Sequence, residues 1–222
     1  MSSSTAAHAA SVSAPSARRT QTRDRLITAA VSVFAERGLI GARGEELSER
    51  AGFTRGAFYS NFADKDDLVL AMLRHYSERD LQMVQEISKA LTDNAELAGN
   101  PPGTLINIAL TRLFGDAAHD RDAILVRNEM NLYAIRRPEL RDTYRSYLNQ
   151  LYDRIGGLVD HALHAIGLEF NIEYRVAMPM LHACSSQVEM AALLGDGPAD
   201  TAPMEALIKA ICRPIDGGTL PR

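Results

Sequence analysis

The sequence predicts an all-α protein, and three observations carry that expectation. Past Leu73 apolar residues recur at three- and four-residue spacing; no segment there alternates β-branched and polar residues as a strand would. The clearest breaker, Gly99-Asn100-Pro101-Pro102-Gly103, falls between helical patterns rather than within one.

Taken in order, a short helical pattern from Glu45 to Ala51 is followed by Gly52, a residue that supplies the positive φ at which a helix ends and the chain turns. Thr54 restarts the helix, its hydroxyl placed to accept from the free amides of the next turn, a cap worth roughly 1 kcal/mol. A helix, a tight turn and a second short helix form the arrangement in which the second helix enters the major groove of DNA. On that second helix Phe58 and Phe62 lie four apart and share a core-facing side, which leaves Arg55, Tyr59 and Asn61 for DNA. Arg55, Gly56 and Asn61 are assigned to base edges, because a side chain or bare backbone near the helix start approaches closest. Thr54, Tyr59 and Lys65 are assigned to phosphates. Asp64 caps the following helix, so Lys65 and free backbone amides converge where a phosphate would sit; such contacts fix register and carry no sequence information.

The helix begun at Asp64 is expected to continue through Ala71, Met72, Tyr76 and Leu81 towards Leu91, joining head to body. After the breaker over 94–103, helices are expected over Thr104–Ala118, Arg121–Arg136 and Pro138–Ile166, with Pro138 suited to a first turn and Gly167 to an end. Two more follow, Asn171–Leu194 and Ala202–Arg213, separated by Gly195-Asp196-Gly197-Pro198. Gly156-Gly157 and Pro179 sit inside these helices, where kinks or tight packing are expected. The chain divides into an arm over 1–17, a helix-turn-helix domain over 18–68 and a helical body over 69–222.

Several spaced elements of the head agree in order and distance with one family: Arg25-Leu26-Ile27-Thr28-Ala29-Ala30, Phe34-Ala35-Glu36-Arg37-Gly38, and Phe58-Tyr59-Ser60-Asn61-Phe62 running on to Lys65-Asp66-Asp67-Leu68. From about Arg19 to Leu73 the chain resembles the N-terminal domain of the TetR family of transcriptional repressors. One departure is Ala42-Arg43-Gly44, where the family usually opens its second helix with Thr or Ser; Arg43 is assigned to a phosphate there. The resemblance implies a C-terminal body that binds a small effector among its central helices and dimerises through its last two long helices. It also implies a palindromic double-stranded operator, read by two heads of a homodimer and released by the effector.

Composition agrees. The hydrophobic content of 46% with 23% charged residues is ordinary for a globular chain, and the net charge of −4 argues against a protein that coats nucleic acid indiscriminately. From Arg18 to Phe62, however, eight arginines face five acids, a local balance of +3. A modestly basic head on an acidic body suits a site-specific binder. No stretch approaches the ~18 uninterrupted apolar residues of a membrane span and no apolar core follows the start, so a cytoplasmic protein is expected. The first 17 residues form a Ser/Ala-rich tract without an acid. Such a tract passes for a transit peptide in a eukaryotic sequence, and beside a bacterial-type regulator reads as a disordered arm.

In the body, helical stripes mark candidate pocket walls: Leu110 and Phe114, Met130 and Tyr133, Tyr147 and Leu151 among the neighbours of Tyr144, and Met178 and His182 beside Pro179. Tyrosines on such stripes combine an apolar ring with a hydroxyl that needs a partner, a mixture small-molecule sites use. The bland alternative for each is simple core. His161 and His164 near Asp160 invite a metal reading, but a lone pair of histidines on an amphipathic helix is more often surface or core decoration. Cys184 and Cys212 make no spacing motif and read as inert buried thiols on the two helices assigned to the dimer. No catalytic motif and no glycine-rich phosphate loop is recognisable, so neither an enzyme nor a cofactor is expected. Two other readings remain open: a ligand-independent or activating regulator with the same head, which requires a tightly packed body, and an all-α enzyme that borrows the helical hairpin and binds no DNA.

Overall fold

The computed structural model describes residues 17–93, 99–115, 120–195 and 198–215. Among them the helices are α1 (Ala17–Gly41), α2 (Gly44–Arg50), α3 (Arg55–Asn61), α4 (Lys65–Asp93), α5 (Pro102–Gly115), α6 (Arg121–Arg136), α7 (Pro138–Ala165), α8 (Tyr174–Gly195) and α9 (Ala202–Ile211). The all-α expectation holds with one exception. Leu168–Phe170 (β1) and Cys212–Pro214 (β2) pair antiparallel, with Phe170 opposite Cys212 and Leu168 opposite Pro214. Neither strand is long enough to show alternation, and the partner lies some forty residues away. The helix expected to run to Arg213 therefore stops at Ile211, and Cys212 belongs to a strand rather than a helix. The proposed arm falls outside the described residues apart from Ala17, which opens α1, as do the first half of the 94–103 breaker and the end expected for α5 at Ala118.

Local signals set several of the ends. The Asp120 side chain accepts from the Ala123 amide at 3.1 Å and caps α6. Pro138 opens α7, where its missing N–H costs nothing. Gly52 takes φ +72° between α2 and α3, as a tight turn there requires. Gly38, at φ +70°, interrupts the last turn of α1.

Among the described residues two apolar clusters form the core. The first begins with Leu26, Phe34, Leu47, Phe58 and Phe62 in the head and runs on without a break through Leu68, Met72 and Tyr76 of α4 to Val126, Met130 and Tyr133 of α6. The second gathers Ile106, Leu110 and Phe114 of α5 with Leu163, Leu168, Val188, Met204 and Ile211. Gly156 lies where α7 meets α8: a Cβ there would stand 2.6 Å from Cδ2 of Tyr174 and 3.2 Å from Cγ of Met178. Tight packing is thus the role of this glycine, while α8 continues through Pro179.

Candidate DNA-binding head and ligand cavity

On α3 the apolar side is closed by Phe58 and Phe62, 2% and 1% exposed, with ring centroids 5.7 Å apart. Thr54, Arg55, Gly56, Tyr59 and Ser60 form the opposite, exposed side. Only the Thr54 hydroxyl 3.8 Å away would meet a Cβ at Gly56, so its backbone is open to close approach. Thr54 occupies the cap position, but its hydroxyl does not cap: the carbonyl of Thr54 accepts from the Ala57 amide at 2.9 Å, and the side chain stays available. Arg55 reaches Glu45 of α2 at 3.0 Å, a surface pair weak enough to exchange for another anion. Arg43 is exposed at the start of α2, where Glu46 reaches back to accept its amide at 3.2 Å. This is half of a capping box, since arginine has no acceptor to complete it.

Two assignments change. Asn61 is 8% exposed and its amide donates to the Ala57 carbonyl at 2.8 Å, so it closes the end of α3 instead of facing outward. The Lys65 ammonium donates to the Leu39 carbonyl at 2.8 Å, and burial together with the nearby Arg137 charge lowers its pKa. It ties α4 to the end of α1 rather than projecting to a phosphate. Several of the head's arginines are likewise structural. Arg25 donates to the Ala51 carbonyl at the end of α2 and stacks on Phe53; Arg23 donates to the Asn61 carbonyl at the end of α3 and stacks on Phe62. Cations there satisfy open helix carbonyls. The positive balance of the head is therefore only partly a DNA-facing charge.

The head is fastened to the body through α6. Glu129 Oε2 accepts the Leu39 amide at 3.1 Å, and Asp66 at the start of α4 accepts from the Tyr133 hydroxyl at 2.6 Å and from Arg137 at 2.8 Å. Burial pushes the Asp66 carboxyl up, but the hydrogen bonds from Arg137 and Tyr133 outweigh it and hold its pKa below the usual value. This contribution is full above the ordinary aspartate pKa and is lost as pH falls through the depressed one.

Between α4, α5, α7 and α8 lies a cavity of about 290 Å³. Met83, Val84, Ile87 and Leu91 of α4, Leu110 and Leu113 of α5, Leu151 and Ile155 of α7, and Met178 of α8 give it an apolar wall. Of the sequence-derived candidates, Leu110, Leu151, Met178 and His182 line it. Phe114 sits in the second core cluster, while Met130, Tyr133 and Tyr147 belong to the first, and all four lie off the cavity wall. Tyr133 is engaged by Asp66, and Tyr147 accepts from Arg74 at 2.8 Å.

Sequence reasoning missed the polar end: Tyr76 and Asp80 of α4, Arg127 of α6, Tyr152 of α7 and Glu189 of α8. Arg127 donates to Glu189 at 2.8 Å and stands 3.8 Å from Asp80. Burial raises the pKa of both acids, against the opposing pull of Arg127. Burial and Arg127 lower that of His182, whose Nδ1 shares a hydrogen bond with the Tyr152 hydroxyl. The available signal was a charge on an apolar stripe. Asp80 falls between Tyr76 and Met83 at helical spacing, and Glu189 continues the stripe of Met178, His182 and Ser185.

Elsewhere, the imidazole Nδ1 of His164 bonds the Asp160 carbonyl one turn back at 2.8 Å. Burial raises the Cys184 thiol and pushes Cys212 up to about 11, so neither is poised as a thiolate. No helix among the described residues is long and apolar enough to cross a membrane.

A helix-turn-helix head is thus continuous with a helical body that holds a cavity. Residues 26–72 match the family described as bacterial regulatory proteins, tetR family. The head is thus of the TetR family of transcriptional regulators, and the match leaves the rest of α4 and every later helix outside it. It is similar to the transcriptional activator FasR of Mycolicibacterium smegmatis, with 32% identity over 78 residues, 35% of this chain and 36% of that one. It is also similar to the repressor AcnR of Corynebacterium glutamicum, with 37% identity over 67 residues, 30% of this chain and 36% of that one. The matches span only about a third of the length of these curated relatives. Over the whole fold, the multidrug binding protein EbrR, solved with imidazole, superposes with a TM-score of 0.58 at 26% identity, covering 91% of this chain and 100% of that one.

Proposed function

We propose that the chain is a ligand-responsive repressor that binds a palindromic operator as a homodimer and releases it when a small molecule fills the cavity. The observation that carries this reading is that the cavity and the head's fastenings share two helices. On α4, Asp66 holds the head and Tyr76 and Asp80 line the cavity; on α6, Glu129, Tyr133 and Arg137 hold the head and Arg127 lines the cavity. A ligand that fits only one arrangement of α4 and α6 changes the spacing of two heads, and its differential affinity sets how far the equilibrium moves. The dimer is supported by Val176, Met180 and Leu194, apolar residues of α8 that are 52%, 41% and 81% exposed. Two heads at fixed separation also double the sequence read.

Arg55 and Gly56 stand nearest base edges in this reading, with Arg43, Thr54 and Tyr59 at phosphates. Arg55→Ala is expected to relax base preference at one position of each half-site. Arg43→Ala is expected to weaken binding to all sequences alike and to reduce the salt slope by roughly 0.9 for each phosphate no longer neutralised. Anisotropy titrations on matched and mismatched duplexes at several salt concentrations separate the two; a base-selective effect of Arg43→Ala would overturn its assignment.

Tyr133→Phe removes one hydroxyl from the Asp66 fastening, a hydrogen bond to a charged group of the kind worth about 1.5–3 kcal/mol. The variant is expected to need more ligand to release operator DNA while binding ligand unchanged in the absence of DNA. Calorimetry and anisotropy on the same samples give the two numbers. The FasR match supports a second reading, an activator with the same head. A reporter driven from the selected operator distinguishes them by the sign of its response.

A further inference from the structure

The polar end of the cavity holds more acceptors than donors. Glu189 takes the Arg127 guanidinium at 2.8 Å, whereas Asp80 stands 3.8 Å from it, beyond hydrogen-bond reach. Asp80 keeps 33% of its side-chain surface open and lines the cavity, so its carboxylate faces that space as a loose ion pair with Arg127 and without a hydrogen bond from it. One turn earlier on α4, Tyr76 is 5% exposed, and its hydroxyl has no partner among the described residues although the side chain lines the same cavity. The more exposed Arg79 and Asp120, 3.3 Å apart, neutralise each other. The charges lining the cavity therefore sum to −1 with His182 neutral.

Resting on the reading of this cavity as the effector site, we propose that its ligand is an amphipathic organic cation. The apolar body lies along α4, α5 and α7, and a protonated amine or amidinium head donates to Asp80 beside the Tyr76 hydroxyl. Three arguments select this class. A carboxylate ligand would meet Asp80 and Glu189, and the two arginines lining the cavity are already engaged, Arg127 by Glu189 and Arg79 by Asp120. A neutral ligand without a donor would cut Asp80 off from water and leave its carboxylate without a hydrogen bond, the ion pair with Arg127 at 3.8 Å being too long for one. A cation supplies the missing donor, and Tyr76 and Tyr152, whose rings attract positive charge, line the same cavity.

The test uses three probes of one chain length, decylammonium, 1-decanol and decanoate, titrated calorimetrically into the full-length protein without DNA at pH 7. Decylammonium is expected to bind about tenfold or more tighter than decanol, the scale of one charge-assisted hydrogen bond, with decanoate weakest. Asp80→Asn is expected to remove that preference, lowering decylammonium affinity about tenfold while decanol stays within about twofold. Circular dichroism establishes that the variant is folded, and the ranking on the unmodified protein stands without it. Equal affinities, a preference for decanoate, or an unchanged preference in Asp80→Asn would each overturn the cation proposal. If decanol binds without any preference for charge, the cation proposal falls and the effector reading survives. If none of the three binds, both fall.

Discussion

Phe62→Ala is expected to lower the stability of the protein by about 3–5 kcal/mol, the usual cost of emptying a fully buried aromatic site. The ring is 1% exposed, packs on Phe58 at 5.7 Å and carries the Arg23 guanidinium over its face at 4.4 Å. Its loss also frees Arg23 from the site where that cation satisfies the end of α3. A cost of this size is a large fraction of the roughly 5–15 kcal/mol that holds a typical domain folded. Because the head's core is continuous with α4 and α6, the melting transition of the whole chain is expected to fall, and DNA binding to fall with it. Tyr59→Ala on the exposed side of the same helix is the contrast: it leaves stability within about 0.5 kcal/mol, yet weakens DNA binding. Thermal melting followed by circular dichroism separates them. Equal melting temperatures for the two variants would show that Phe62 does not hold the head.

Arg127→Met is expected to be nearly as costly, for an electrostatic reason. It strips the bonded guanidinium from Glu189, 12% exposed at its side chain, and the nearby one from Asp80 on the cavity wall. Breaking a buried pair from one side costs roughly 3–5 kcal/mol, because the remaining charge is left without compensation. The lower end applies, since Arg127 itself retains 29% of its side-chain surface. The double variant Arg127→Met/Glu189→Met removes both charges and is expected to recover much of the loss. The sign with pH follows from Glu189, whose folded pKa is raised by burial and would rise further without Arg127. A group with a raised folded pKa loses its stabilisation as pH rises through that value, so the deficit of Arg127→Met should grow at higher pH and shrink as Glu189 is protonated. Denaturant melts at several pH values check both; a deficit that is flat with pH, or no recovery in the double variant, would contradict the assignment.

The parts that were legible in the sequence are those set by local chemistry. Arg121–Arg136 and the start at Pro138 coincide with the observed helices because Asp120 and Pro138 are local signals acting on their own neighbours. Gly52 fixed the turn for the same reason. Periodicity identifies a buried side but not what lies opposite it. Leu110 and Leu151 face a void, whereas Met130 and Tyr133, on equally regular stripes, face α1 and α4. Asp80, Arg127 and Glu189 come from three helices, and their meeting is a property of the packing alone. Lys65 and Asn61 were misplaced because their partners, the carbonyls of Leu39 and Ala57, are backbone groups that side-chain chemistry does not advertise.

Selection of bound duplexes from a random DNA pool by the purified protein tests the central claim, because it reads the head, the dimer and the specificity together. A dimeric, site-specific regulator is expected to enrich an inverted repeat whose half-sites lie at one fixed separation. No enrichment at low salt would contradict it.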